Sequence, residues 1–104
     1  MVFDGAMENS MPELEIDISE LSKYMEDGYE LIDVRDELSF AYGNIKGSVN
    51  IPGEKLLENA AEYTGRKLLL YCKRGETSLE LAEALHEQGT GALSLKGGYI
   101  AWLM

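Results

Sequence analysis

One run constrains the fold more than any other: Lys67-Leu68-Leu69-Leu70-Tyr71-Cys72-Lys73-Arg74-Gly75-Glu76-Thr77-Ser78. Lys67 to Tyr71 is the most continuous apolar stretch in the chain, as expected of a central parallel strand covered on both faces. The short basic, glycine-containing loop that follows must turn the chain into a helix. Thr77-Ser78-Leu79-Glu80 has the form of a capping box, with Thr77 bonding the amide three residues on and Glu80 reaching back to the Thr77 amide. A helix is expected from about Ser78 to Gln88, ended by Gly89, with Leu81, Ala82 and Leu85 as its buried stripe. Cys72, the only cysteine, therefore sits between a strand end and a helix start. Backbone amides and a helix N-terminus carry positive partial charge and favour a thiolate over the neutral thiol. The position points to a reactive thiol rather than a small buried hydrophobe.

The flanking segments repeat the strand and helix alternation. Leu14-Glu15-Ile16-Asp17-Ile18 alternates apolar and polar residues as a short half-exposed strand does. Ser19 is expected to cap a helix carrying Leu21, Tyr24 and Met25, with Gly28 at its end. Tyr29 to Val34 reads as a second, more buried strand. Asp36 to Tyr42 reads as a helical turn or two ended by Gly43. Ser48 to Ile51 resumes extended structure and Pro52 stops it. A helix from about Glu54 to Tyr63 would turn Leu56, Leu57, Ala60 and Ala61 inward. Gly91 to Leu95 gives a last strand, and Lys96-Gly97-Gly98 a sharp turn into Tyr99 to Leu103. Strands separated by helices imply an α/β domain with a mainly parallel sheet and right-handed crossovers. Ligands of such sheets lie at the carboxyl ends of the strands, which is where Cys72, Asp33 and Arg35 fall. Asp33 and Arg35 are expected near the cysteine loop, as a salt bridge anchoring neighbouring loops.

Composition narrows the chemistry. A chain of 104 residues, 45% of them hydrophobic, is the size of one domain and can bury a core without disulfides or metal. One cysteine and one histidine, His86, are too few for a Cys/His zinc site. Residues 1–12 lack the apolar core of a secretion signal, and no apolar run approaches the length that crosses a bilayer. A cytoplasmic protein with a flexible tail over 1–12 is expected. Nine basic against nineteen acidic residues give a net charge of -10, which opposes nucleic acid and anionic lipid as partners. A small anionic substrate would need a local positive patch, and Lys73 with Arg74 supplies one. His86 falls near the end of its helix, where a partly charged imidazole complements the dipole, and Trp102 reads as a core anchor.

Four segments, in order, resemble the single-domain rhodanese-like sulfurtransferases. Leu31-Ile32-Asp33-Val34-Arg35 is similar to that family's Asp-x-Arg strand end. Phe40 to Pro52 is similar to its aromatic-x-x-Gly-His-Ile-x-Gly-Ala-x-Asn-Ile-Pro segment. Cys72 to Thr77 is similar to its six-residue active-site loop, and Leu95 to Trp102 to its closing Leu-x-Gly-Gly-x-x-x-Trp. Asn44 stands where the family has histidine, Ser39 where it has an acid, and Lys73 where it has arginine; an ammonium meets an oxyanion as a point charge, where an arginine fork would grip it twice. Glu76 adds a negative charge inside the loop.

The resemblance implies a rhodanese-like α/β domain over 13–104, with a central, mainly parallel five-stranded sheet flanked by helices on both faces. It implies a short or externally docked closing helix after Gly98. It further implies that Cys72 is the catalytic residue, that Lys73, Arg74, Gly75, Glu76, Thr77 and Ser78 bind substrate, and that Asp33 and Arg35 support them, with no metal or cofactor. The reaction implied passes a sulfane sulfur from a small anionic donor such as thiosulfate, through a Cys72 persulfide, to cyanide or a protein thiol. A persulfide needs a curved bed of N–H donors rather than a general base, and Lys73 to Ser78 offer such amides, with Gly75 letting the backbone curl. The alternative is a binding or sulfur-relay module that exchanges persulfide with a partner protein and does little small-molecule turnover. A cysteine-dependent phosphatase would need Cys-x5-Arg, and the sixth residue after Cys72 is Ser78. A thioredoxin-type role would need Cys-x-x-Cys, which is absent.

Overall fold

The structure is a computed structural model that describes residues 13–104; the tail expected over 1–12 lies outside them. Five strands, β1 (Glu15–Ile16), β2 (Glu30–Asp33), β3 (Val49–Asn50), β4 (Lys67–Tyr71) and β5 (Gly91–Leu95), form one sheet in the order β1-β5-β4-β2-β3. Every pairing is parallel, so "mainly parallel" sharpens to wholly parallel. Four α-helices connect them, α1 (Leu21–Glu26), α2 (Glu37–Tyr42), α3 (Gly53–Glu58) and α4 (Glu76–Glu87), and a fifth, α5 (Gly98–Leu103), follows β5.

The alternation of side chains along β4 divides the core and aims the cysteine. Leu68, Leu70 and Cys72 pack on one face with Leu56 of α3 and with Leu81, Ala82 and Leu85 of α4. Leu69 and Tyr71 pack on the other face with Leu21 of α1, Ile45 and Leu95, and Tyr99 of α5 packs against that cluster. Successive β residues point to opposite faces. The parity that buries Leu68 and Leu70 under α4 therefore also directs Cys72 toward that helix. The strand is apolar throughout because both faces are covered.

Several helix boundaries differ from the sequence expectation, each for a local reason. Helix α4 starts at Glu76, two residues before the expected Ser78, and its N-cap is Gly75 at φ 98° with no side-chain cap. Thr77 is thus already helical, and the Thr77–Glu80 capping box does not form. Ser19 lies inside a 3-10 turn (Ile18–Glu20) that precedes α1, and the Asp17 amide donates to Glu20 Oε1 at 3.2 Å. The helix expected over 54–63 is broken at Asn59 into α3 and a 3-10 turn (Ala60–Tyr63). The break rotates the register, so Leu56 and Ala60 are buried while Leu57 is 40% exposed and Ala61 faces solvent. Asp36, by contrast, caps α2 by accepting the Ser39 amide at 2.7 Å, and Gly43 ends that helix. Trp102 is 42% exposed: α5 presents Tyr99 inward, and the tryptophan is not a core anchor.

Candidate active site

Parallel pairing brings the ends of β2 and β4 side by side, with Asp33 opposite Tyr71, so Asp33, Val34, Arg35 and Cys72 open at one edge of the sheet. Cys72 is 7% exposed, and its Sγ lies inside the curl of the loop. The Gly75 amide donates to Sγ at 3.1 Å and the Ser78 amide at 3.3 Å. Ser78 Oγ stands 3.4 Å from the same sulfur. Of the amides expected between Lys73 and Ser78, these two make direct contact. Burial, the largest single influence, pushes the Cys72 thiol up. The Ser78 hydroxyl and the amides of Ser78, Gly75 and Arg74 together outweigh burial and hold the thiol below its ordinary range.

The loop curls with amides inward because its carbonyls are held outward. Tyr99 N donates to Cys72 O at 2.8 Å, and Ile100 N to Lys73 O at 3.1 Å. The free amides of the first turn of α5 thus satisfy the loop carbonyls. Such contact needs bare backbone: a Cβ on Gly98 would stand 2.4 Å from Cys72 O, and one on Gly75 would stand 2.9 Å from Gly97 N. The sequence reading found the Gly97-Gly98 turn but not its office as a buttress. The available signal was the glycine pair itself, a mark of close backbone approach.

The remaining site residues separate by environment. Ser78 and Gly75 are buried, while Lys73, Arg74, Glu76 and Thr77 are exposed around the mouth. A cavity of about 600 Å³ opens before Cys72, walled by Val34, Arg35, Tyr42, Lys73, Tyr99 and Leu103. A smaller one of about 120 Å³ is lined by Cys72, Lys73, Arg74, Glu76 and Thr77 of the loop. Tyr42, Tyr99 and Leu103 as cavity walls were not anticipated, since nothing in their spacing marks them.

Asp33 and Arg35 form the expected pair. Arg35 Nη2 donates to Asp33 Oδ2 at 2.6 Å and to Gly43 O at 2.6 Å, and its Nε donates to Asp33 Oδ1 at 3.0 Å. Asp33 is fully buried. The guanidinium also lies over the Tyr99 ring at 4.4 Å and the Tyr71 ring at 5.7 Å. Hydrogen bonding to Asp33 raises the Arg35 pKa, so this cation is committed to β2, α2 and α5 together. Beneath it, burial pushes the Tyr71 phenol up to about 12. Its oxygen accepts the Ile45 amide and shares a hydrogen bond with Ser48, each at 3.0 Å. Asn50 ties the end of β2 by donating to Asp33 O and Arg35 O, each at 2.9 Å. His86 is exposed near the end of α4, remote in the fold from the cysteine loop at that helix's start.

Known proteins match this chain, with its all-parallel sheet and the cysteine loop at the sheet's carboxyl edge, over most of its length. The family described as Rhodanese-like domain covers residues 17–104. The chain belongs to the rhodanese-like family. The thiosulfate sulfurtransferase GlpE of Haemophilus influenzae is 32% identical over 95 residues, 88% of this chain and 90% of that one. A rhodanese-related protein from Thermoplasma volcanium superposes with a TM-score of 0.76 at 27% identity, covering 86% of this chain and 89% of that one. The human single-domain sulfurtransferase TSTD1 superposes with a TM-score of 0.74 at 27% identity, covering 88% and 96%. In this rhodanese-like chain the Gly97-Gly98 turn packs against the cysteine loop, Arg35 of Asp-x-Arg lines the same cavity as Cys72, and Asn50 of the Phe40–Pro52 segment braces the end of β2.

Proposed function

We propose that this rhodanese-like protein is a sulfurtransferase in which Cys72 accepts a sulfane sulfur and passes it on. The observation that carries the reading is the pair of amides, from Gly75 and Ser78, directed at Cys72 Sγ together with the Ser78 hydroxyl. With thiosulfate as donor, the Cys72 thiolate attacks the outer sulfur. A new S–S bond forms, the old S–S bond breaks, and its electron pair leaves with sulfite, so no external oxidant or reductant is required. The persulfide left on Cys72 is an anion, and the loop amides that favour the thiolate favour it too. Cyanide or a protein thiolate then attacks the terminal sulfur and returns Cys72 as thiolate. Lys73 and Arg74 draw the anionic donor to the mouth, and Asp33 with Arg35 keeps the loop in place without touching the sulfur. The site needs neither metal nor cofactor for this chemistry, which suits a reducing cytoplasm.

A second reading, a sulfur-relay module served by a partner protein, is favoured by Glu76. Glu76 lines the 120 Å³ cavity together with Cys72, and its negative charge opposes a dianionic donor. Thiocyanate formation from thiosulfate and cyanide separates the two. Turnover well above a Cys72→Ser control is expected; a rate equal to that control rejects the small-molecule enzyme and leaves the relay.

A further inference from the structure

A buried hydroxyl pair stands behind Cys72, and one member of it, Ser94, lies outside the four family motifs. Ser94 lies on β5, between β1 and β4, opposite Glu15 on one side and Leu70 on the other. It shares a sheet face with Ala92, and hence with Leu70 and Cys72. It is fully buried, its amide donates to Leu14 O at 2.7 Å, and its Oγ stands 2.8 Å from Ser78 Oγ. Ser78, also fully buried, has one hydroxyl proton and three partners within reach: Cys72 Sγ at 3.4 Å, which donates to it as a thiol and can accept from it as a thiolate, Gly75 O at 3.4 Å and Ser94 Oγ.

We propose that Ser94 is a positioning residue for the Cys72 thiolate: by donating its own proton to Ser78 Oγ, it leaves the Ser78 hydroxyl free to donate to the sulfur. Ser78 is the only side-chain partner of Ser94 among the described residues. A buried hydroxyl left without a partner is unfavourable, so the Ser94 proton goes to Ser78. That donation removes Ser94 as an acceptor, and a thiolate outcompetes the neutral Gly75 carbonyl for the remaining proton because charge-assisted hydrogen bonds are stronger. When the thiol is protonated its S–H can donate to Ser78 Oγ while the Ser78 proton turns to Gly75 O, and the Ser94 donation is unchanged. The Ser78 hydroxyl therefore follows the ionisation of the sulfur, held by Ser94 from a rigid strand.

This role rests on the sulfurtransferase reading only for the importance of the thiolate, and it is tested without a sulfur donor. Iodoacetamide alkylation of the full chain against pH reports Cys72 alone, since no other cysteine is present. The charged and titratable groups around the sulfur are Lys73, Arg74 and Glu76 of the loop, Arg35 and Asp36 at the β2 end, Tyr42 of α2 and Tyr99 of α5. All are unchanged across the variants. The wild-type midpoint is expected below the ~8.5 of a free cysteine, rising by ~0.5 in Ser94→Ala and by ~1 in Ser78→Ala. In the Ser78→Ala background, Ser94→Ala should then change nothing further. An unmoved midpoint in Ser94→Ala, or an equal shift in both backgrounds, overturns the proposal.

Ser94→Thr and Ser94→Val guard against a folding defect, because they share a shape and differ in the hydroxyl. Thr is expected to keep the wild-type midpoint and Val to raise it; equal midpoints overturn the role. Absence of sulfur uptake from thiosulfate or a protein persulfide by the wild type would instead reject the sulfurtransferase reading, with the alkylation result standing apart.

Discussion

At the scale of single residues, what distinguishes this cysteine from a core cysteine is where its hydrogen bonds come from. Leu68 and Leu70 share its face of the sheet and are sealed in the core. Cys72 ends the strand, where the backbone turns its amides onto the sulfur. Arg35 acts differently, through position alone. Its partner Asp33 is fully buried, and deleting one member of such a pair leaves an uncompensated charge that costs about 3–5 kcal/mol. Arg35→Ala is therefore expected to lower stability by about that amount in urea unfolding. Lys73→Ala, at an exposed position, should stay within about 0.5 kcal/mol while weakening thiosulfate turnover. Equal stability losses would mean that the Arg35 pair does not anchor the loop. Cys72, Asp33 and Arg35 were legible in sequence because strand parity and strand ends place them. Ser94 was not, since a serine in an apolar strand carries no mark of the side chain it will meet across the sheet.

At the scale of elements, the cysteine loop is a joint among β4, α4 and α5. The capping box at Thr77–Glu80 looked sufficient to start α4. The helix begins two residues earlier because Gly75, in the left-handed region, reverses the chain sooner and turns its own amide and that of Ser78 onto the sulfur. Propensity and capping are local rules, and here a tertiary requirement overrides them. The same limit explains α3: no local signal marks the break at Asn59 that leaves Leu57 and Ala61 outside. The joint makes Gly98 critical. Gly98→Ala would place a methyl 2.4 Å from Cys72 O and 2.7 Å from Lys73 O, so α5 must lift from the loop. A loss of about 2–3 kcal/mol is expected, together with a higher pH midpoint for Cys72 alkylation. Gly65→Ala is the control, because Gly65 also has positive φ but nothing within 4 Å of a Cβ. It should cost about 1 kcal/mol and leave the midpoint unchanged. A Gly98→Ala protein with the wild-type midpoint would show that α5 does not hold the loop amides inward.

At the scale of the whole molecule, a charge of -10 surrounds a mouth whose cations, Lys73 and Arg74, share it with Glu76. The distant charges repel a dianion at long range, and salt screens that repulsion over a Debye length of about 10 Å at 0.1 M. The kcat/KM for thiosulfate is therefore expected to rise severalfold between ~0.01 and ~0.15 M salt. A steady fall over that range would mean that Lys73 and Arg74 dominate the approach. The fold class and the placing of Cys72, Asp33 and Arg35 at one edge of the sheet were readable from the chain because strand–helix alternation and parallel pairing leave few topologies. The apolar cavity walls were not, because Tyr42, Tyr99 and Leu103 meet only after α2 and α5 close on the sheet.

The central claim, that the loop amides poise Cys72 to carry sulfur, is tested most directly by weighing the intact protein after exposure to thiosulfate. The account predicts one added sulfur atom on the wild type, removed by cyanide and absent from Cys72→Ser. A wild-type mass that does not change on exposure to thiosulfate or to a protein persulfide, or an added sulfur that persists in Cys72→Ser, would contradict it.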